Sequence, residues 1–202
     1  MRRIVTTGLC CAAFAGAVAA RQAPQQPPQP RPLPGILMEV RNIFNTHKGN
    51  ITKAADQFPE DKYMWSPTPE VRTFGGLISH IVDDNNGACF LLAGETAAPP
   101  RLDNAGKPTD AGKDLKKADI VAKLAESFGR CDKAFDAVNE QNMNERNGQG
   151  NRSKFGQVFY NTQHINEHYG NIVTYMRLQG LVPPSSAPRG GGPADPLRID
   201  KR

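Results

Sequence analysis

Histidine is scarce in this 202-residue chain, four in all, and two of the four stand together in HINEH, residues 164–168. On a helix, positions four apart lie about 40° from one another around the axis and one turn along it. His164 and His168 therefore share a face. Their Cβ atoms, about 6 Å apart, let both rings reach one ion through bonds of about 2.0–2.1 Å. Two nitrogens are too few for a divalent metal, so a third ligand must come from another element. His80, within GGLISHIVDD, and His47 are the remaining histidines. His80 is the stronger candidate. Gly75 and Gly76 lie about a turn before it and Gly87 nearly two turns after it. Helix-interior glycines cost about 1 kcal/mol each, which close approach of another helix, or room for a ligand, would offset. Asp83 and Asp84, one turn on, are placed to hold the free ring nitrogen of His80, as carboxylates behind metal-bound histidines do. The bland alternative is a polar helical stripe, and His47 reads as a polar residue at a helix seam.

Glu167 completes H-x-x-E-H, the inverted zinc-protease motif. Such a protease needs a further carboxylate ligand well downstream in a large domain. The chain beyond His168 is short, and its end is rich in Pro and Gly. Glu167 therefore reads as a partner at the edge of the site or a solvated residue. Tyr160, one turn before His164, joins Glu167 and Asp83 as a candidate helper in any chemistry at this place.

Four helices must position these residues. The first runs from about Ile36 to Phe58, with Leu37, Val40, Phe44, His47, Ile51, Ala54 and Phe58 at spacings of three and four, the pattern of one buried face. Pro59 ends it. The second opens at TPEVRTFGG, with Thr68 as N-cap, Pro69 in the first helical position and Glu70 complementing the dipole, and continues to about Ala93. Residues 94–115 read as a long surface loop. The third spans about Lys117 to Asn142. After the polar turn NERNGQGNR, the fourth covers about Ser153 to Gln179 and closes at Gly180. Four amphipathic helices in one domain make an all-α four-helix bundle, because each must bury its apolar stripe against the others. The long loop after the second helix allows a crossover, so simple up-down-up-down order is not implied.

The ends are of another kind. Arg2 and Arg3 precede an apolar, small-residue run ending Ala17-Val18-Ala19-Ala20, the layout of a signal peptide cut after Ala19 or Ala20. An uncleaved anchor is the alternative, though the run is short for a bilayer. Lipoprotein processing at Cys10 or Cys11 lacks the usual preceding pattern. The expected plan is a signal peptide (1–20), a Pro/Gln-rich linker (21–34), the bundle (35–182) and a disordered tail (183–202). Cleavage leaves Cys89 and Cys131. An exported protein meets an oxidising compartment, where two thiols at bridging distance tend to pair. The alternative is two small apolar core residues. Net charge is +5, spread without runs of Lys and Arg among aromatics, so nucleic-acid binding has no support.

PEDKYMWSPTPEVRTFGGLISHI, FGRCDKAF and above all HINEHYGNIVTYMRLQGLVPPSS resemble the DinB superfamily of metal-binding four-helix bundles over about Ile36 to Ser186. The resemblance implies a divalent metal held by three histidines, one on the second helix and a pair on the last, which match His80, His164 and His168. Zinc is the first choice; nickel, iron and copper accept the same donors. An ion with an open position lowers the pKa of a bound water or activates a thiolate. The resemblance also implies either a metal-dependent hydrolase or a transferase using low-molecular-weight thiols such as bacillithiol or mycothiol. Those thiols are cytosolic reductants and the chain reads as exported, so the expectation is a hydrolase acting on a small molecule. A non-catalytic metal- or ligand-binding module is the alternative from another class. A homodimer is compatible with either.

Overall fold

The computed structural model describes residues 35–102, 114–147 and 151–188. Four helices dominate: α1 (Ile36–Gln57), α2 (Phe74–Cys89), α3 (Lys117–Asp136) and α4 (Lys154–Leu178), with short 3-10 turns at Glu60–Lys62 and Pro184–Ser186. No strand is present among the described residues, only an isolated bridge between Arg146 and Ser153. None of the helices is long and apolar enough to cross a membrane. The expected signal peptide and linker lie outside the described residues, as do 189–202.

Each helix buries the stripe that its spacing demands. Val40, Phe44, Ile51 and Ala54 of α1 meet Ile120, Leu124, Phe128 and Phe135 of α3 and Ile165, Ile172 and Met176 of α4 in a single core with α2. Phe44 lies against Phe135, ring centroids 4.6 Å apart. Phe58 stacks on Phe74 at 3.6 Å, so the end of α1 and the start of α2 share one aromatic cluster. Lys117 at the head of α3 donates to the carbonyls of Asp56 and Phe58, giving the α1 C-terminus the cation its dipole favours.

The helices are arranged around the bundle in the order α1, α4, α2, α3, so α2 packs against both α3 and α4 while α1 and α2 face each other diagonally. The diagonal crossings therefore fall on the links before α2 and after α3. The long loop joins two neighbours and makes no crossover.

Four boundaries differ from expectation, the first being that α2 ends at Cys89, short of Ala93. Thr68 does not cap α2; Thr73 does, its hydroxyl accepting from the Gly76 amide at 3.0 Å. The residues between fold as a link, and its carbonyls at Trp65 and Tyr63 accept from the Phe74 and Gly75 amides, which satisfies donors a helix start leaves open. α3 stops at Asp136, short of Asn142, because the Asn139 side chain accepts from the Gln141 and Asn142 amides while Asn142 donates to the Ala137 carbonyl. Asparagine here offers the backbone a turn in place of a helix. The first residues assigned to the tail are ordered: the Ser185 amide donates to the Tyr169 hydroxyl, which holds Pro184–Ser186 against the bundle. Gly180, at φ 72°, closes α4 as its sequence position indicates.

Cys89 and Cys131 form a disulfide, Cα atoms 5.0 Å apart, tying α2 to α3. Thiol titration of denatured, non-reduced protein produced without residues 1–20 is expected to find no free thiol; two per chain would overturn the bond. The glycines of α2 give a second test. A Cβ on Gly75 would stand 2.9 Å from the Tyr63 ring and 3.1 Å from its carbonyl oxygen, whereas one on Gly87 would meet nothing within 4 Å. The close approach at Gly75 is thus made by the α1–α2 link. By urea denaturation, Gly75→Ala is expected to lose about 1–3 kcal/mol and Gly87→Ala to gain about 0.5–1 kcal/mol.

Candidate metal centre

Because α2 lies against α4, His80 meets the His164/His168 pair. Ring centroids are 4.7 Å apart for His80 and His168, 5.6 Å for His80 and His164, and 4.4 Å for the pair itself. Asp84, one turn beyond His80, joins them, and the four residues offer one ligand atom each, all within 4.8 Å of one another. The Nε2 atoms of His164 and His168 stand 3.0 Å apart, near the spacing of about 3.3 Å that two tetrahedral donors at about 2.0–2.1 Å from zinc would have. Asp84 Oδ2 is 2.9 Å from His80 Nε2 and 3.3 Å from His164 Nδ1.

These atoms crowd, and only some of them satisfy one another, as the two Nε2 atoms do. Asp84 Oδ2, His164 Nδ1 and His168 Nδ1 are buried with no aligned hydrogen-bond partner. Unpaired buried polar atoms are costly, and so many around one point fit a shared cation. Burial first, and then the neighbouring His164 and His80, push the His168 imidazole down to about 4, so it is neutral and holds a lone pair for metal over the whole ordinary pH range. Burial pushes the Asp84 carboxyl up, but the hydrogen bond from the His80 ring, with the nearby imidazoles, outweighs that, and the net direction is down. Three imidazole nitrogens and one carboxylate oxygen are donors that a divalent ion accepts.

The other expected residues sort unequally. Asp83 is buried and serves the loop after α2 instead. Its Oδ1 accepts from the Leu102 amide at 2.7 Å, and Oδ2 lies 3.9 Å from Arg101. Consecutive helical positions point 100° apart, so only one of the two aspartates faces α4, and it is Asp84. Tyr160 stacks on His164, centroids 5.7 Å apart, and carries the Arg152 guanidinium 3.9 Å from its own ring. Glu167 is exposed and outside the cluster. His47, on α1, packs beside Tyr169, apart from the four, and burial lowers its pKa.

One contributor has no signal in the sequence pattern. Arg72, on the link before α2, places Nη2 3.4 Å from His80 Nδ1. Its own carbonyl accepts from the Tyr175 hydroxyl of α4 at 2.7 Å. Its position is set by where α2 begins, and expecting that start at Thr68 hides it.

The family model described as the DinB superfamily matches residues 43–172, a span that takes in all four clustered residues and both cysteines. No curated protein matches the chain.

The His168 shift sets a pH dependence. Its folded pKa, about 4, lies below the ordinary 6.5, so the unfolded chain binds the proton more readily and stability rises with pH between the two values. Metal-free protein is expected to hold this contribution above about pH 6.5 and to lose it as pH falls toward 4. Urea denaturation at steps across that range checks it, and His168→Asn should flatten the slope.

Proposed function

The chain belongs to the DinB superfamily, and we propose that it is an exported metal-dependent hydrolase acting on a small molecule, with a divalent metal held by His80, His164 and His168. The observation that carries this reading is the convergence of three imidazoles and Asp84 between α2 and α4, with Asp84 Oδ2, His164 Nδ1 and His168 Nδ1 buried and unpaired. When bound, the cation supplies Lewis-acid polarisation and makes a water acidic enough to attack at neutral pH. The protein's own residues do the rest. His168 contributes a nitrogen that protons do not block above about pH 4. Asp84 offsets part of the ion's charge and orients His80 and His164. Tyr160 covers one face of the His164 ring. His80, His164 and Asp84 keep 14 %, 18 % and 24 % of their side-chain surface open, which leaves a substrate a way in.

The donor set suits zinc, and nickel, iron or copper fit it as well. Export rests on the signal-like first twenty residues, and the Cys89–Cys131 disulfide supports it, since such bonds persist in oxidising compartments. The same bond argues against a transferase that depends on a cytosolic thiol.

A second reading has its own observation. If Asp84 ligates directly, four protein donors fill a tetrahedral ion, and the centre would hold metal or fasten α2 to α4 without turnover.

Elemental analysis of the purified mature chain is expected to find about one divalent metal per molecule, and none in the His80/His164/His168 triple alanine variant. Equal metal content in the two sinks the assignment. His164→Ala separates the readings. Metal and hydrolysis lost with the melting temperature nearly kept supports chemistry. A large fall in melting temperature, with no turnover by the parent on ester, amide or thiol-transfer panels, supports the holding role.

A further inference from the structure

Arg72 is the cation in the described structure that has least reason to be where it is. Four other basic side chains of the bundle are paired with carboxylates: Arg41 with Asp136, Lys48 with Asp132, Arg130 with Glu95, Lys154 with Glu145. Arg72 has no carboxylate within ion-pair distance among the described residues. Its nearest polar side-chain neighbour is a histidine ring, and its Nε is buried with no hydrogen-bond partner. A partly buried guanidinium normally finds an anion, because leaving its donors unmet costs free energy.

Nor is it a loose side chain that has drifted in. The Tyr175 hydroxyl fixes the Arg72 carbonyl, Trp65 packs edge-on against Tyr175 at 5.9 Å, and Thr73 caps α2 at the next residue. The backbone that carries the guanidinium is held by both helices that carry the histidines. Charge then points to the ligand. A divalent ion brings two positive charges, Arg72 one more, and Asp84 supplies a single negative charge. A second guanidinium, Arg152, stands over Tyr160 on the His164 side. With metal present the centre is strongly positive and still partly open, which attracts an anion rather than a neutral molecule.

We infer that the molecule taken at this centre carries an oxyanion, a carboxylate or a phosphate, gripped between the metal and the Arg72 guanidinium. This rests on reading the cluster as a metal site and names the substrate class for it. Planar forked donors match both oxyanions, and the two are separated by experiment.

The mature chain is loaded with cobalt(II), whose visible absorption reports its ligands, and titrated separately with acetate and with inorganic phosphate. Metal content is read in parallel by equilibrium dialysis. At least one anion is expected to perturb the spectrum, binding about ten-fold or more weaker to Arg72→Gln, while that variant binds cobalt as well as the parent or better, since a repelling charge is gone. The anion that responds assigns the class. Arg72→Lys, which keeps charge without the fork, is expected to show a smaller loss and serves as the comparison if the Gln variant folds poorly. Anion affinities equal in the parent and both variants, or spectra that neither anion moves, overturn the inference while leaving the metal site standing. No cobalt taken up by the parent removes the site and the inference together.

Discussion

His80 and the His164/His168 pair lie on different helices, far apart in the chain, so the centre exists only where α2 and α4 touch. That contact constrains the rest of the bundle. For α2 to lie beside α4 as well as α3, the chain has to pass diagonally at the links before α2 and after α3. The first link is accordingly well built. Its carbonyls take up the first amides of α2, its Tyr63 fills the space over Gly75, and its last residues bring Arg72 to the histidines. What reads in sequence as the opening of the second helix is a positioning element for the centre.

The helices themselves were legible because burial is written as a period of three and four, and α1 and α4 end within a residue or so of where Pro59 and Gly180 imply. The ends of α2 and α3 were not, and for one reason: local side-chain and link bonds decided them. Thr68-Pro69-Glu70 has every ingredient of a helix start, yet tertiary bonds from Tyr63 and Trp65 made Thr73 the cap. Asn139 and Asn142 ended α3 early by bonding to nearby backbone and to each other. Such choices depend on what each donor finds in space, which periodicity does not record.

The candidate centre divides in the same way. Spacing alone put His164 and His168 on one face and made His80 the natural third member. It named Asp83 as the helper and kept Asp84 only beside it as a partner for His80, although 100° of helical rotation sends Asp83 toward the loop at Leu102 and Asp84 to the imidazoles. An i, i+4 relation to His80, the same relation that joins His164 to His168, was the available clue in favour of Asp84. Arg72 had none, since its approach is set by a chain crossing and by a tyrosine of α4.

The disulfide does more than fasten α2 to α3. Its cysteines are 42 residues apart, and the segment between them includes the whole connection from α2 to α3. A backbone cut anywhere in that connection would therefore leave one covalent molecule, with His80 of α2 still tied through sulfur to the piece that carries α4. A nick in the connection thus costs the domain no part, which is a useful property in any setting where peptidases are met.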